Sequence, residues 1–235
     1  MMKTCTRLMR TGLLAAAMGL LGVSAQAQMA VSSPAFADNA TLPNPFTNSL
    51  GGQCSGSNWS PPLAIAGIPA GTQTLAITMI DTSVPGGFLH WKVWDIAVPA
   101  GASSVSLPYN AAASLPASTQ ATNGFGTTGY GGACPPPAGT PGLPDTHSYV
   151  FTVYALSTPP GGGEPTGATL AAVAAPNQAR LTGTRAQASN VAWAPPAAAA
   201  GGNVASVPTM SELGLALMGL VLAGGAWLRR PGRQA

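Results

Sequence analysis

The 235-residue chain has little charge: nine Lys and Arg, six Asp and Glu and two His, so that charged residues make up 6% of it. Six of the nine basic residues sit at the ends, Lys3, Arg7 and Arg10 at one and Arg229, Arg230 and Arg233 at the other. Between Gln28 and Val207 there remain Lys92, Arg180 and Arg185 against Asp38, Asp81, Asp95, Asp145 and Glu164, a balance of about minus two. A nucleic-acid partner requires a basic patch, so that class of function is excluded. No Gly-x-Ser-x-Gly elbow supplies a hydrolase nucleophile, and no repeat of solenoid or propeller period recurs. The spacing of Asp81, His90 and His147 matches no local metal signature, so neither a metal nor a cofactor is expected.

The basic residues at the start have a different use. Residues 1–28 (MMKTCTRLMRTGLLAAAMGLLGVSAQAQ) place Lys3, Arg7 and Arg10 ahead of an apolar run from Leu13 to Val23, which Ala25-Gln26-Ala27 follows. This is the order of a secretory signal peptide, residues 1–27, cleaved after Ala27; the run is short for a retained membrane helix. Cys5 precedes the run and leaves with it, so Cys54 and Cys134 remain of three cysteines. In an oxidising compartment they permit one bridge, and closing a loop of about 80 residues stabilises by roughly 4 kcal/mol. Two buried free thiols are the alternative, which export disfavours.

At the other end, residues 207–235 carry a Pro208-Thr209-Met210-Ser211-Glu212 head, an apolar run from Leu213 to Leu228, and three arginines behind it. The run is a little under the roughly 20 residues that cross a bilayer comfortably. The positive charge behind it holds that end on the cytoplasmic side. With Val207-Pro208-Thr209-Met210-Ser211-Glu212 as its motif, the tail resembles bacterial C-terminal sorting signals of the IPTL type. That resemblance implies parking in the membrane and a sorting transpeptidase, exosortase-like, as a partner; a plain membrane anchor is the other reading. Both readings give an exported protein, periplasmic or at the cell surface, held for a time by its C-terminal helix.

Between the ends, strand signals dominate. Segments 74–80 (TLAITMI), 89–98 and 148–156 (SYVFTVYAL) are rich in β-branched and aromatic residues, as strands require. Pro61-Pro62, Pro69-Ala70-Gly71, Pro85-Gly86-Gly87 and Pro99-Ala100-Gly101 punctuate them as turns. The expected fold is mostly β, a one-domain β-sandwich with few short helices, one of them within 168–180. It spans residues 28–156, with about 185 as the longer alternative bound. The Ala/Gly/Pro-rich stretch 157–206 has few large apolar residues and reads as a spacer.

Period two predicts what accompanies each histidine. In 89–98 it puts His90 on the face of Trp94, Ile96 and Val98, with Leu89, Trp91 and Val93 opposite; in 148–156 it puts His147 with Tyr149, Phe151 and Val153. Asp81 ends the third strand in the same fashion, so three polar groups at strand mouths can share one rim of a sandwich. Trp91, Trp94 and Tyr154 are expected in the core.

Four stretches in order, Asp81-Thr82-Ser83-Val84-Pro85, His90-Trp91, Gly129-Tyr130-Gly131-Gly132-Ala133-Cys134-Pro135-Pro136 and His147-Ser148-Tyr149, resemble the phosphatidylethanolamine-binding protein family in its bacterial, Raf kinase inhibitor-like branch. Asn58-Trp59-Ser60-Pro61-Pro62-Leu63 fits the same pattern upstream. The resemblance implies a small anion pocket for a phosphate or phosphoryl head group, lined by Asp81, Pro85, His90, His147 and Tyr149, with the Gly131 to Pro136 loop, Pro135 included, as its rim. Imidazoles that donate to the anion, a carboxylate that orients them and glycines that let backbone N–H groups approach make chemical sense of that set. Two departures stand out: Ser83 and Ser148 replace an aspartate and an arginine common in the family. The expected function is therefore non-catalytic binding of a small anionic ligand. An inhibitor that docks on another protein is the alternative, and an enzyme acting on phosphoryl groups a third reading.

Overall fold

The computed structural model describes residues 28–50, 54–161, 163–187, 189 and 191–195. The expected signal peptide, the last part of the expected spacer and the sorting segment lie outside the described residues. The strands are β1 (Ala30–Ser32), β2 (Ala40–Thr41), β3 (Leu63–Ala66), β4 (Thr74–Asp81), β5 (Phe88–Ala97), β6 (Ser104–Leu107), β7 (Thr146–Leu156) and β8 (Gln178–Ala186). Two short helices, α1 (Ala111–Ser114) and α2 (Gly167–Ala171), interrupt them. One sheet has the order β1-β3-β6 and the other β2-β8-β7-β4-β5, antiparallel throughout except for the parallel pair β2 and β8. The result is a β-sandwich-like domain without a closed barrel.

The sandwich holds because the inward positions of both sheets are apolar. Leu63 and Ile65 of β3 face Leu75, Ile77 and Met79 of β4, Trp91 and Val93 of β5, and Tyr149, Phe151 and Val153 of β7 in one core. Each such side chain, nearly or fully buried, contributes about 1.5–3 kcal/mol. The three long strands of the sequence reading appear with ends shifted by one or two residues. Turns close at three of the expected proline clusters through Thr72 N–H to Pro69 O, Gly87 N–H to Val84 O and Ala102 N–H to Pro99 O.

Strict alternation fails in β5. The register against β4 slips twice, between Met79 and Ile80 and between Leu75 and Ile77. Each slip inserts an extra residue on β5, His90 in the first and the Trp94-Asp95 pair in the second, where Asp95 takes φ +56°. A bulge of this kind turns the following side chains to the other face. His90 therefore joins Trp91, Val93 and Ile96 on the inner side, whereas Trp94 packs in a separate cluster with Ala76, Ala121, Leu156 and Leu170. The expected grouping of His90 with Trp94 is corrected on this point.

Nor does the sheet stop at Leu156. β8 occupies an inner position between β7 and β2, so the stretch read as spacer contains a core strand through Ala186. The helix expected over 168–180 is limited to α2; residues 178–180 belong to β8. Among the described residues no helix is long and apolar enough to cross a membrane.

Candidate functional site

The site forms where β4 ends and β7 begins. Asp81 lies opposite Tyr149 in the register, which brings His147, two residues back on the same face, against the carboxylate. His147 Nδ1 donates to Asp81 Oδ2 at 2.6 Å, and the Ser83 N–H donates to Asp81 Oδ1 at 2.8 Å. A carboxylate only accepts, so the Nδ1 proton is fixed and the ring is oriented from behind. His147 and Tyr149 are completely buried, and Asp81 is 4% exposed. The two atoms that remain, His147 Nε2 and the Tyr149 hydroxyl, are buried without a hydrogen-bond partner. Burial, and after it the Asp81 charge, push the Tyr149 phenol up, while the Cys134 backbone and Arg185 pull the other way. It is an O–H donor at every ordinary pH.

The bulge in β5 delivers His90 to the same place. Its ring meets Tyr149 edge-on, with centroids 5.0 Å apart. His90 Nδ1 donates to Gly131 O at 2.7 Å, with Gly132 O at 3.2 Å, and Gly131 N–H donates back to the His90 carbonyl at 2.8 Å. A residue larger than glycine is excluded at 131, because a Cβ there would lie 2.6 Å from the Phe125 ring and 3.0 Å from Asn123 Nδ2. Burial holds the His90 pKa below its usual 6.5, against the opposing pull of the Gly131 carbonyl and the Asp81 charge. At neutral pH the imidazole is thus uncharged with its proton on Nδ1, and Nε2 offers a lone pair. The expectation that His90 donates to an anion is corrected to this extent: it can do so only after taking up a proton.

Other residues hold the rim. Asn58, at φ +56°, donates from Nδ2 to Tyr130 O at 3.0 Å and accepts from Gly132 N–H at 2.6 Å. Tyr130 O–H donates to Phe46 O at 2.8 Å, and Cys54 and Cys134 form a disulfide with Cα atoms 5.7 Å apart. Phe88 and Phe125 meet edge-on with centroids 4.9 Å apart, and both flank His90. Of the expected site residues, Asp81, His90, Gly131, His147 and Tyr149 come together. Pro85 is exposed in the turn between β4 and β5, and Pro135 is buried at the wall of a separate cavity shared with Arg185. Ser83 Oγ accepts from the Ser148 backbone N–H at 2.8 Å, which ties the turn after β4 to the start of β7. Sequence reasoning missed Phe88, Phe125 and Arg185 as neighbours of the site. Among the described residues, no group of three His, Cys, Asp or Glu could hold a metal ion.

Comparison with known proteins identifies the family. Residues 32–188 match the family model for phosphatidylethanolamine-binding protein, and residues 205–231 match the IPTL-CTERM motif. The UPF0098 protein Rv1910c of Mycobacterium tuberculosis is 38% identical over 160 residues, covering 66% of this chain and 69% of its own. The UPF0098 protein YbcL of Escherichia coli is 38% identical over 108 residues, 45% of this chain and 56% of its own. The crystal structure of YbcL superposes with a TM-score of 0.55 at 31% identity, over 67% of this chain and 98% of that one. With the sandwich, the ordered motifs and a family match across more than half of its length, the chain belongs to the phosphatidylethanolamine-binding protein family.

Proposed function

We propose that the domain binds a small anion, a phosphate or phosphoryl head group, between Asp81, His90, His147 and Tyr149, and that its role is binding rather than turnover. The observation that carries this reading is the pair of buried, unpartnered polar atoms, His147 Nε2 and Tyr149 O–H, aligned by a carboxylate and by strand register. A buried polar atom without a partner costs about 1–3 kcal/mol; an anion's oxygen accepts from the Tyr149 O–H, and from His147 Nε2 when the ring carries a proton on both nitrogens. Water does not reach either atom, so the ligand gains access when the rim opens. The turn at Gly86 and Gly87, with φ of +79° and +75°, and the loop carrying Phe125 are the parts that border it. The C-terminal motif supports export and membrane anchoring through residues 205–231, with a sorting transpeptidase as the partner that reads it.

Calorimetric titration of phosphorylethanolamine and of phosphate tests the reading. Saturable binding is expected for the wild type, and His147→Ala is expected to weaken phosphorylethanolamine at least about a hundredfold, since truncation removes a buried charge-assisted contact worth about 3 kcal/mol. No binding by a folded wild type would overturn the assignment and leave docking on another protein as the better account.

Affinity also depends on pH. A bound anion raises the pKa of His90 above its lowered free value, so between those two values each binding event takes up a proton. With sulfate, which does not itself titrate in the range, affinity is expected to fall about tenfold per unit rise in pH within that window. The fall continues until the pH passes the pKa of the complex. A profile that stays flat from below the free pKa of His90 up to neutral pH would show that His90 takes no part.

A further inference from the structure

Arg185 is charged and only 7% exposed, yet every acceptor it meets is neutral: Leu42 O at 2.7 Å, Asn44 Oδ1 at 2.8 Å and Ser189 O. A buried cation is ordinarily paired with a carboxylate, because removal from water costs several kcal/mol per ion. Among the described residues none is present. Asp81 is engaged by His147 and Glu164 by Lys92. Asp38 and Asp145 accept from the backbone N–H groups of Thr182 and Gly139, and Asp95 sits in the β5 bulge. Burial pulls the Arg185 pKa down, but a guanidinium keeps its charge throughout the physiological range.

Beside this charge lies a cavity of about 280 Å³ bordered by Asn44, Thr47, Ser55, Arg185, Gln187 and Ser189. Its volume is several times the roughly 30 Å³ that a water molecule occupies in the liquid. Hydroxyls and amides border the cation, and no carboxylate does. Among the described residues, three of the five guanidinium N–H groups meet protein acceptors, which leaves two to donate. Of the expected anion-site residues, Pro135 alone borders this cavity.

We propose that this cavity is a second anion site, adjoining the one built on Asp81 and His147 because Arg185 lies opposite His147 in the register, which takes a small oxyanion against the Arg185 guanidinium. The anion provides the counter-charge that the fold omits. Ser55, exposed at the mouth, and Ser189, whose Oγ accepts from Ala186 N–H at 3.4 Å and so keeps its own O–H, provide donors around it.

Sulfate titrated calorimetrically into the purified protein tests this, with His147→Ala as the background that disables the first site. A saturable sulfate site is expected to persist in His147→Ala. Ser55→Asp in the same background is the deciding variant, because it leaves the Arg185 hydrogen bonds intact while placing a carboxylate in the cavity. It is expected to weaken sulfate at least about tenfold, since a like charge now faces the anion, and to raise Tm. Arg185→Gln should abolish the site, with folding checked by circular dichroism, and Arg185→Lys should restore part of it. No saturable sulfate binding in His147→Ala, or binding that Ser55→Asp leaves unchanged, would overturn the proposal. Failure of the first site shows differently, as identical titrations for wild type and His147→Ala.

Discussion

Replacing Asp81 with alanine is expected to lower the unfolding free energy by about 3 kcal/mol, read from urea denaturation at neutral pH. The carboxylate is almost completely buried and holds two donors, His147 Nδ1 at 2.6 Å and Ser83 N–H at 2.8 Å. Truncation leaves both without an acceptor, and removal of one partner from a buried charge-assisted pair typically costs 3–5 kcal/mol. The lower end applies here because the Ser83 N–H lies in a part-buried turn that water can reach. Asp81→Asn keeps one acceptor oxygen and the side-chain volume, so it should cost less. A loss below about 1 kcal/mol for the alanine variant would mean that His147 re-forms its bond elsewhere, and that the carboxylate does not fix the ring.

Removing the Cys54–Cys134 bridge has an effect of similar size and a different distribution. The bridge closes a separation of 80 residues, so its loss releases roughly 4 kcal/mol of chain entropy into the unfolded state. For a domain of this size that lowers Tm by about 10 °C, measured by thermal unfolding with and without a reductant. The rim around the site has its own ties: Tyr130 O–H to Phe46 O, Asn48 N–H to Ala133 O at 3.1 Å, and the Asn58 bonds to Tyr130 and Gly132. Anion affinity measured well below the lowered Tm should therefore change by less than about tenfold. A larger fall would assign the disulfide a direct part in shaping the rim.

How far these features were legible from sequence depended on what each strand writes in its side chains. β7 was plain, because His147, Tyr149, Phe151 and Val153 alternate without interruption and all four are fully buried. β4 likewise ended at Asp81 as its pattern implied. β5 was legible as a strand but not in its faces, since hydrophobicity carries no mark for the two bulges that move His90 inward and Trp94 outward. β8 was invisible for another reason. Its inward positions are Ala179, Leu181, Gly183 and Arg185, and only Leu181 is a large apolar residue. Gly183 is there because Leu42 occupies the space: a Cβ would lie 2.5 Å from Leu42 Cγ. Small residues that accommodate a neighbour's bulk look like spacer until the neighbour is known. The ordered motifs named five residues that the fold brings together, but they could not foresee that Pro85 would remain in solvent or that an arginine would be buried beside the rim.

The position of β8 bears on how the chain reaches this state. Of the strands made before β8, β4 pairs with β5 on one side and with β7 on the other. β8 emerges last of all, yet it belongs inside the sheet between β7 and β2, and β2 was made some 140 residues earlier. Until residue 186 has emerged, β7 presents an unpaired edge of eleven residues, the kind of surface that recruits strands from other molecules. Pairings so remote in sequence form slowly. The nascent domain is thus most prone to aggregate in the interval between completion of β7 and arrival of β8, and a chain truncated before residue 178 would remain in that condition.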